Sequence, residues 1–154
     1  MASTTAAPAR RWFGFPEIVD ERAARVVAGL VVVLSAAYVA TGWWPLLAAL
    51  AYGFVARVAA GPRYSPFGLL ATRVVVPRLA GRPRLTAGTP KRFAQSIGAT
   101  LSLLAVALLV TLDTTTGARI TVAMITAAAT LESAFGYCLG CKIFALLMRL
   151  GVVP

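Results

Sequence analysis

AARVVAGLVVVLSAAYVATG, residues 23–42, is the stretch that decides the fold. It carries one charge near its start, Arg25, and continues as an uncharged and mostly apolar run. A helix of roughly 20 such residues crosses a hydrocarbon core about 30 Å thick. The stretch therefore predicts a membrane-spanning helix.

The whole chain has the composition of a membrane protein. Of its 154 residues, 59% are hydrophobic and only 13% are charged, which lies outside the usual range for soluble proteins. This length accommodates four spans and short connections, with no separate soluble domain. Residues 1–22 are polar and lack the apolar region of a signal peptide, so we expect a mature N-terminal arm.

Apolar runs predict four spans, at about 23–42, 45–60, 92–112 and 119–139. Trp43 and Trp44 are typical of interfacial anchors, and Pro45 suits the first turn of the second span. We predict an all-α fold in a single domain, residues 1–154. It is an integral membrane four-helix bundle with a basic cytoplasmic loop, residues 61–91, and a cytoplasmic C-terminal segment, residues 140–154.

The last apolar run is too long for one perpendicular span. From Arg119 to Leu150 it covers about 32 residues, or roughly 48 Å of helix. We therefore expect the helix to break, or to leave the membrane, near Gly136 and Gly140.

The segment from Arg57 to Arg92 contains eight basic residues and no acidic one. Its five prolines exclude one long helix, but Ser65 and Pro66 predict the start of a short amphipathic surface helix that ends near Val76. Contact with anionic membrane lipids is one interpretation of the charge, and docking of an acidic partner or an anionic solute is another. No nucleic-acid recognition motif accompanies the charge, so we expect no nucleic-acid partner.

Charge also predicts the orientation of the chain. In a four-span arrangement, the N-terminal arm, the basic loop and the C-terminus lie on one side and carry 14 of the 15 basic residues. Arg119 alone lies on the other side. By the positive-inside rule, both termini face the cytoplasm of a multi-pass plasma-membrane protein.

The stretch GYCLGCKIF, residues 136–144, contains both cysteines of the chain. A structural disulfide is disfavoured in the reducing cytoplasm. If the helix breaks at Gly136 and restarts at Cys138, the helix dipole and Lys142 would both lower the pKa of the Cys138 thiol. Cys141 would then resolve a mixed disulfide or a persulfide formed on Cys138. Without a break, the dipole would oppose the thiolate.

Two other interpretations of the cysteines stay open. Gly136 and Gly140 have the small-residue spacing that lets membrane helices approach, so the cysteines would only pack a helix seam. A metal site would need more ligands than the two thiolates of one chain, which has no histidine. We therefore predict no metal and no cofactor.

Glu132 is the one acidic residue inside a predicted span, and an ionisable group there suggests a function. It lies about 240° around a regular helix from Cys138, so it should face another helix. The candidate partners are Gln95, Ser96 and Arg57. Glu132 would either order the bundle as a neutral, hydrogen-bonded group or accept a proton near the thiols.

Four blocks of the chain carry a resemblance to a known family: VDERAARVVAG (19–29), GPRYSPFGLLATRVVVPRL (61–79), PKRFAQSIG (90–98) and LESAFGYCLGCKIFALLMRLG (131–151). They resemble an uncharacterised bacterial integral-membrane family, domain-of-unknown-function family 4395. The resemblance implies a four-helix membrane protein and a place in sulfur or thiol metabolism, without an established activity.

Two functional hypotheses follow. In the first, the protein is a thiol-disulfide oxidoreductase or sulfur carrier that uses Cys138, Cys141, Lys142 and Glu132, and its partner is a cytoplasmic thiol or sulfurtransferase protein. In the second, it is a non-catalytic scaffold or transporter subunit whose cysteines pack a helix seam. Assembly into a homo-oligomer is compatible with both.

Overall fold

The computed structural model describes residues 18–61 and 64–152, so most of the predicted N-terminal arm lies outside the described residues. The described part is almost wholly helical. In chain order, the elements are β1 (Ile18–Asp20), α1 (Glu21–Thr41), α2 (Trp44–Ala60), α3 (Pro66–Leu70), β2 (Leu85–Ala87), α4 (Gly88–Thr111), α5 (Thr115–Phe135) and α6 (Leu139–Arg149).

The first two helices form a hairpin with a very short connection. Asp20 caps α1 by accepting a hydrogen bond from the Arg22 backbone N–H at 3.0 Å, and Gly42 ends the helix in the left-handed conformation at φ 70°. Pro45 lies in the first turn of α2. Trp43 and Trp44 are 61% and 65% exposed beside this turn.

Three helices, α1, α4 and α5, are long and apolar enough to cross a membrane. With 17 residues, α2 is apolar but shorter. Large aliphatic side chains such as Val33, Val110 and Ile120 are mostly exposed on the outer faces of the three longer helices. An apolar exterior of this kind is typical of a surface that faces lipid.

The helices do not all pack in chain order. α1 lies against α5, and α4 lies against both α2 and α5. The core between them includes Tyr38, Leu47, Leu50 and Val122, all almost fully buried. The Phe54 ring of α2 lies directly on Gly98 of α4, in space that any Cβ at that position would fill.

The segment between α2 and α4 contains a short helix that begins at the predicted position, and one feature that was not predicted. Ser65 caps α3 by accepting a hydrogen bond from the Gly68 N–H at 3.4 Å, and helical turns continue as a π turn over Ala71–Val75 and a 3-10 turn over Val76–Arg78. β2 then pairs antiparallel with β1. This short two-stranded sheet attaches the end of the loop to the start of α1.

Two helix boundaries differ from the sequence prediction. α4 begins at Gly88 rather than near 92, which brings Lys91 into its first turn. α5 ends at Phe135, so the predicted fourth span at 119–139 crosses a turn. Gly136 ends α5 because it adopts φ 67°, a left-handed conformation that favours glycine, and α6 starts after Cys138. The expected break is thus found at Gly136.

Candidate thiol site at the turn between α5 and α6

The turn between α5 and α6 is fixed by hydrogen bonds to the last carbonyls of α5. The Gly136 N–H donates to the Glu132 carbonyl at 3.0 Å, and the Tyr137 N–H donates to the Leu131 carbonyl at 3.2 Å. The Arg25 guanidinium of α1 reaches two further carbonyls, of Ser133 at 3.2 Å and of Ala134 at 3.1 Å. These bonds satisfy carbonyls that a helix end leaves unpaired, so they stabilise the break between α5 and α6.

α6 is held against the first turns of α4. A Cβ placed on Gly140 would lie 2.5 Å from the Cα of Ala94, so only glycine permits this approach. One turn further on, the rings of Phe93 and Phe144 pack with their centroids 5.4 Å apart. Close packing to α4 therefore decides which side chains surround the cysteines.

Both cysteines are free thiols, and they contact each other across the first turn of α6. The Cys138 Sγ accepts a hydrogen bond from the Cys141 backbone N–H at 3.3 Å, as an N-cap side chain does. The Cys141 thiol lies 2.8 Å from the same sulfur and donates to it. Cys138 is 8% exposed, whereas Cys141 is partly exposed.

This arrangement makes the two thiols chemically unequal. Donation from the Cys141 thiol lowers the pKa of Cys138 to about 7, with help from the Cys141 backbone N–H and from Lys91, while burial and Glu132 oppose the shift. The same hydrogen bond and burial raise the pKa of Cys141. At neutral pH, a substantial share of Cys138 is therefore thiolate while Cys141 stays protonated.

A buried ion pair lies beside the thiols. The Lys91 ammonium of α4 and the Glu132 carboxylate of α5 are 2.5 Å apart, and their side chains are only 9% and 14% exposed. Glu132 thus faces another helix, as predicted, but its ion-pair partner is none of the three candidates. Lys91 was missed because the sequence placed it in the loop, one residue before the predicted third span.

The three predicted partners of Glu132 make other contacts. Arg57 donates to the Gln95 side chain at 2.9 Å and to the Ser65 hydroxyl at 3.2 Å, and its guanidinium lies 4.7 Å from the centre of the Phe54 ring. Ser96 donates to a carbonyl of its own helix. Arg57 is 4% exposed and joins the start of α3 to the interior.

Lys142, predicted to stabilise the Cys138 thiolate, contacts an aromatic ring. Its ammonium lies 5.5 Å from the centre of the Tyr137 ring, a cation–π contact on the outer side of the turn. Lys91 lowers the pKa of the Cys138 thiol, and the role of Lys142 at this thiol stays a prediction. The prediction counted residues along one helix, so it could not identify Lys91, which comes from a neighbouring helix.

A cavity of about 290 Å³ borders Cys138 and Glu132. Its other lining residues come from five helices and are mainly apolar, among them Val27, Phe54 and Ile125. Within residues 18–61 and 64–152, no group of three or more His, Cys, Asp or Glu side chains is placed to hold a metal ion.

Fold and site together define a small helical protein whose described residues contain three potential membrane spans and a paired-thiol turn at the end of α5. The model of the family described as Domain of unknown function (DUF4395) matches residues 19–149, which is most of the chain. The protein therefore belongs to the DUF4395 family. No curated protein and no solved structure gives a significant match to the chain.

Proposed function

We propose that this protein exchanges disulfides or relays sulfur at the cytoplasmic face of the plasma membrane, with Cys138 as nucleophile and Cys141 as resolving thiol. One observation carries the proposal: the Cys138 sulfur accepts two hydrogen bonds from Cys141, which stabilise its thiolate. A lowered pKa on one cysteine and a raised pKa on the other give the pair a defined order of reaction.

In disulfide exchange, the Cys138 thiolate attacks one sulfur of a substrate disulfide and releases the other sulfur as a thiolate, which takes up a proton. Cys141 then loses its proton and attacks the Cys138 sulfur, which releases the second substrate thiol. The substrate gains two electrons, and the protein is left with a Cys138–Cys141 disulfide. A cytoplasmic dithiol protein would reduce this disulfide and reset the site.

In sulfur relay, Cys138 attacks the outer sulfur of a persulfide donor such as a sulfurtransferase. The donor leaves as a thiolate, and Cys138 carries the transferred sulfur as a persulfide. Cys141 would release that sulfur as a hydrosulfide anion by forming the Cys138–Cys141 disulfide. In both reactions, the positive charge of Lys91 stabilises the Cys138 thiolate. The Glu132 carboxylate pairs with Lys91 and so reduces this stabilisation.

The proposed topology is a four-helix bundle in which α2 is the fourth span and residues 61–91 form a basic cytoplasmic loop. The two predicted extracytoplasmic turns meet in space, because a Cβ at Gly42 would lie 2.5 Å from the Arg119 guanidinium. The cysteine turn lies at the other end of α5. By the positive-inside rule, that end faces the cytoplasm.

Alkylation of the cysteines in inverted membrane vesicles tests the chemistry. A membrane-impermeant maleimide should label Cys138 with a half-maximal rate near pH 7, rising with pH as the thiolate forms. In Cys141→Ala, which removes the thiol donor without supplying a hydroxyl in its place, this midpoint should move up toward the ordinary value of about 8.5. Cys138→Ser should lose the labelling that has its midpoint near pH 7.

A small aromatic disulfide supplies the activity assay. Wild-type protein should release two thiols from each disulfide molecule and acquire an internal disulfide. Cys141→Ser should stop at the mixed disulfide after releasing one thiol, and Cys138→Ser should release almost none. Equal reactivity of both single variants at neutral pH would contradict the assigned roles.

A scaffold or transporter subunit is the second candidate function, and the close packing of Gly140 on Ala94 favours it. In that case the cysteines would only fill a helix seam. Both serine variants would then be tolerated, and neither thiol would react until the membrane is dissolved. Gly136→Leu and Gly140→Leu would instead disrupt assembly.

A further inference from the structure

The start of α1 and the loop before β2 enclose a polar cavity of about 350 Å³, separate from the cavity that borders Cys138. Arginine dominates its lining, and Glu21 is the one acidic residue among the lining residues given by the structure: Glu21, Arg22, Arg25, Ala80, Gly81, Arg82 and Arg84. The proposed thiol chemistry uses none of these side chains directly.

Two of the four arginines are held by the protein. Arg22 donates from Nη1 to the Gly81 carbonyl at 3.2 Å and forms an ion pair with Asp20 at 3.2 Å. Arg25 donates to two carbonyls at the end of α5. These two side chains therefore form a rigid wall of the cavity.

The other two arginines, Arg82 and Arg84, are exposed, and neither guanidinium has a hydrogen bond or ion pair with any residue in the described part of the chain. Their backbone is nevertheless fixed. The Glu21 N–H donates to the Arg84 carbonyl at 2.8 Å, and Gly81 turns the chain at φ 112°, a conformation that favours glycine. Among the described residues, the loop thus holds two guanidinium groups without a partner beside α1.

We infer that this cavity binds a phosphate group. Asp20 compensates Arg22, so among the described lining residues three arginines face one carboxylate, that of Glu21. This leaves two positive charges for a dianionic group to balance. The planar fork of a guanidinium matches two phosphate oxygens at once. The cavity is larger than one phosphate, so the group can be attached to a larger molecule. An anionic phospholipid headgroup and a soluble phosphate offer this same chemistry.

Binding to the full-length detergent-solubilised protein tests the inference. The probes are inorganic phosphate and short-chain phosphatidic acid, with short-chain phosphatidylcholine as the lipid control, and the readouts are calorimetric affinity and the shift in Tm. The test variant is Arg82→Gln/Arg84→Gln. Arg73→Gln/Arg78→Gln is the matched control, because it removes two exposed charges from the same loop outside the cavity.

We expect Arg82→Gln/Arg84→Gln to weaken binding about 25-fold, since each basic residue near such a surface contributes about a factor of five. The control should change the affinity less than about twofold. Saturable binding of phosphate alone identifies a soluble ligand, and binding of phosphatidic acid alone identifies a lipid headgroup. Equal losses in the two double variants, or binding of neither probe, would overturn the inference. Alkylation of Cys138 should be unchanged in both, so the result is independent of the thiol function.

Discussion

At the scale of single residues, the state of the Cys138 thiol depends on groups from three helices. The Cys141 thiol of α6 does most to lower the pKa of Cys138, Glu132 of α5 raises it, and Lys91 of α4 lowers it. Counting i and i+4 positions along one helix pointed to Lys142 instead. The cysteine pair itself could be predicted from the sequence, but its electrostatic partner depends on how the helices pack.

Substitution of Lys91 separates the two lysines. Lys91→Met should raise the midpoint of Cys138 alkylation, by less than Cys141→Ala does, because a charge that favours the thiolate is lost. Glu132→Gln should lower the midpoint, because a charge that opposes the thiolate is lost. Lys142→Met is the control and should leave it unchanged. A larger effect from Lys142→Met than from Lys91→Met would show that Lys142 is the cation that stabilises the Cys138 thiolate.

The buried ion pair also has a predicted effect on stability. Lys91→Met leaves the Glu132 carboxylate buried without its partner, which should reduce the free energy of unfolding by about 3 kcal/mol. Lys91→Met/Glu132→Gln removes both charges and should recover most of this loss. Thermal unfolding of the wild-type protein, the two single variants Lys91→Met and Glu132→Gln, and the double variant in one detergent provides the double-mutant cycle. Additive losses would show that the two residues act independently.

At the scale of elements, α6 is the part whose position matters most for the site. Its start at Cys138 follows from the left-handed Gly136, and its approach to α4 follows from Gly140. The length of the apolar run and the two glycines were enough to predict a break. The π turn after α3 and the three-residue pairing of β1 with β2 were not predicted, because neither leaves a distinct pattern in the sequence.

Substitution of Gly140 tests whether the site requires the close approach of α6 to α4. In Gly140→Leu, the side chain would collide with the Ala94 backbone, which should cost about 1–3 kcal/mol and push α6 away from Lys91. Because burial and Glu132 raise the pKa of Cys138 more than Lys91 lowers it, the midpoint of Cys138 alkylation should then fall below its wild-type value. Ala145→Leu adds the same side chain at an exposed position of α6 and should keep the wild-type midpoint. Unchanged alkylation in Gly140→Leu would exclude this dependence on packing.

At the scale of the whole molecule, composition was enough to predict a helical protein with several apolar spans. The order in which the helices pack was beyond the sequence. α1 lies against α5 rather than mainly against its neighbour α2, and the Lys91–Glu132 pair joins residues that are 41 positions apart. Apolar periodicity shows which residues avoid water, but lipid and a partner helix are both apolar, so it does not show which helix each face meets.

The proposed orientation leads to a labelling prediction. In a Cys138→Ser/Cys141→Ser background, Asp113→Cys places a thiol in the turn before α5, and Arg78→Cys places one in the basic loop. An impermeant maleimide should label the Asp113→Cys protein in intact cells and the Arg78→Cys protein only in inverted vesicles. The reason is that basic segments are retained in the cytoplasm, so the two positions should lie on opposite sides of the membrane.

The reverse pattern would invert the topology and move the thiol site to the oxidising side, where the same cysteine pair would be expected to form a disulfide. Labelling of both positions from outside would instead mean that the chain between them crosses the membrane an even number of times.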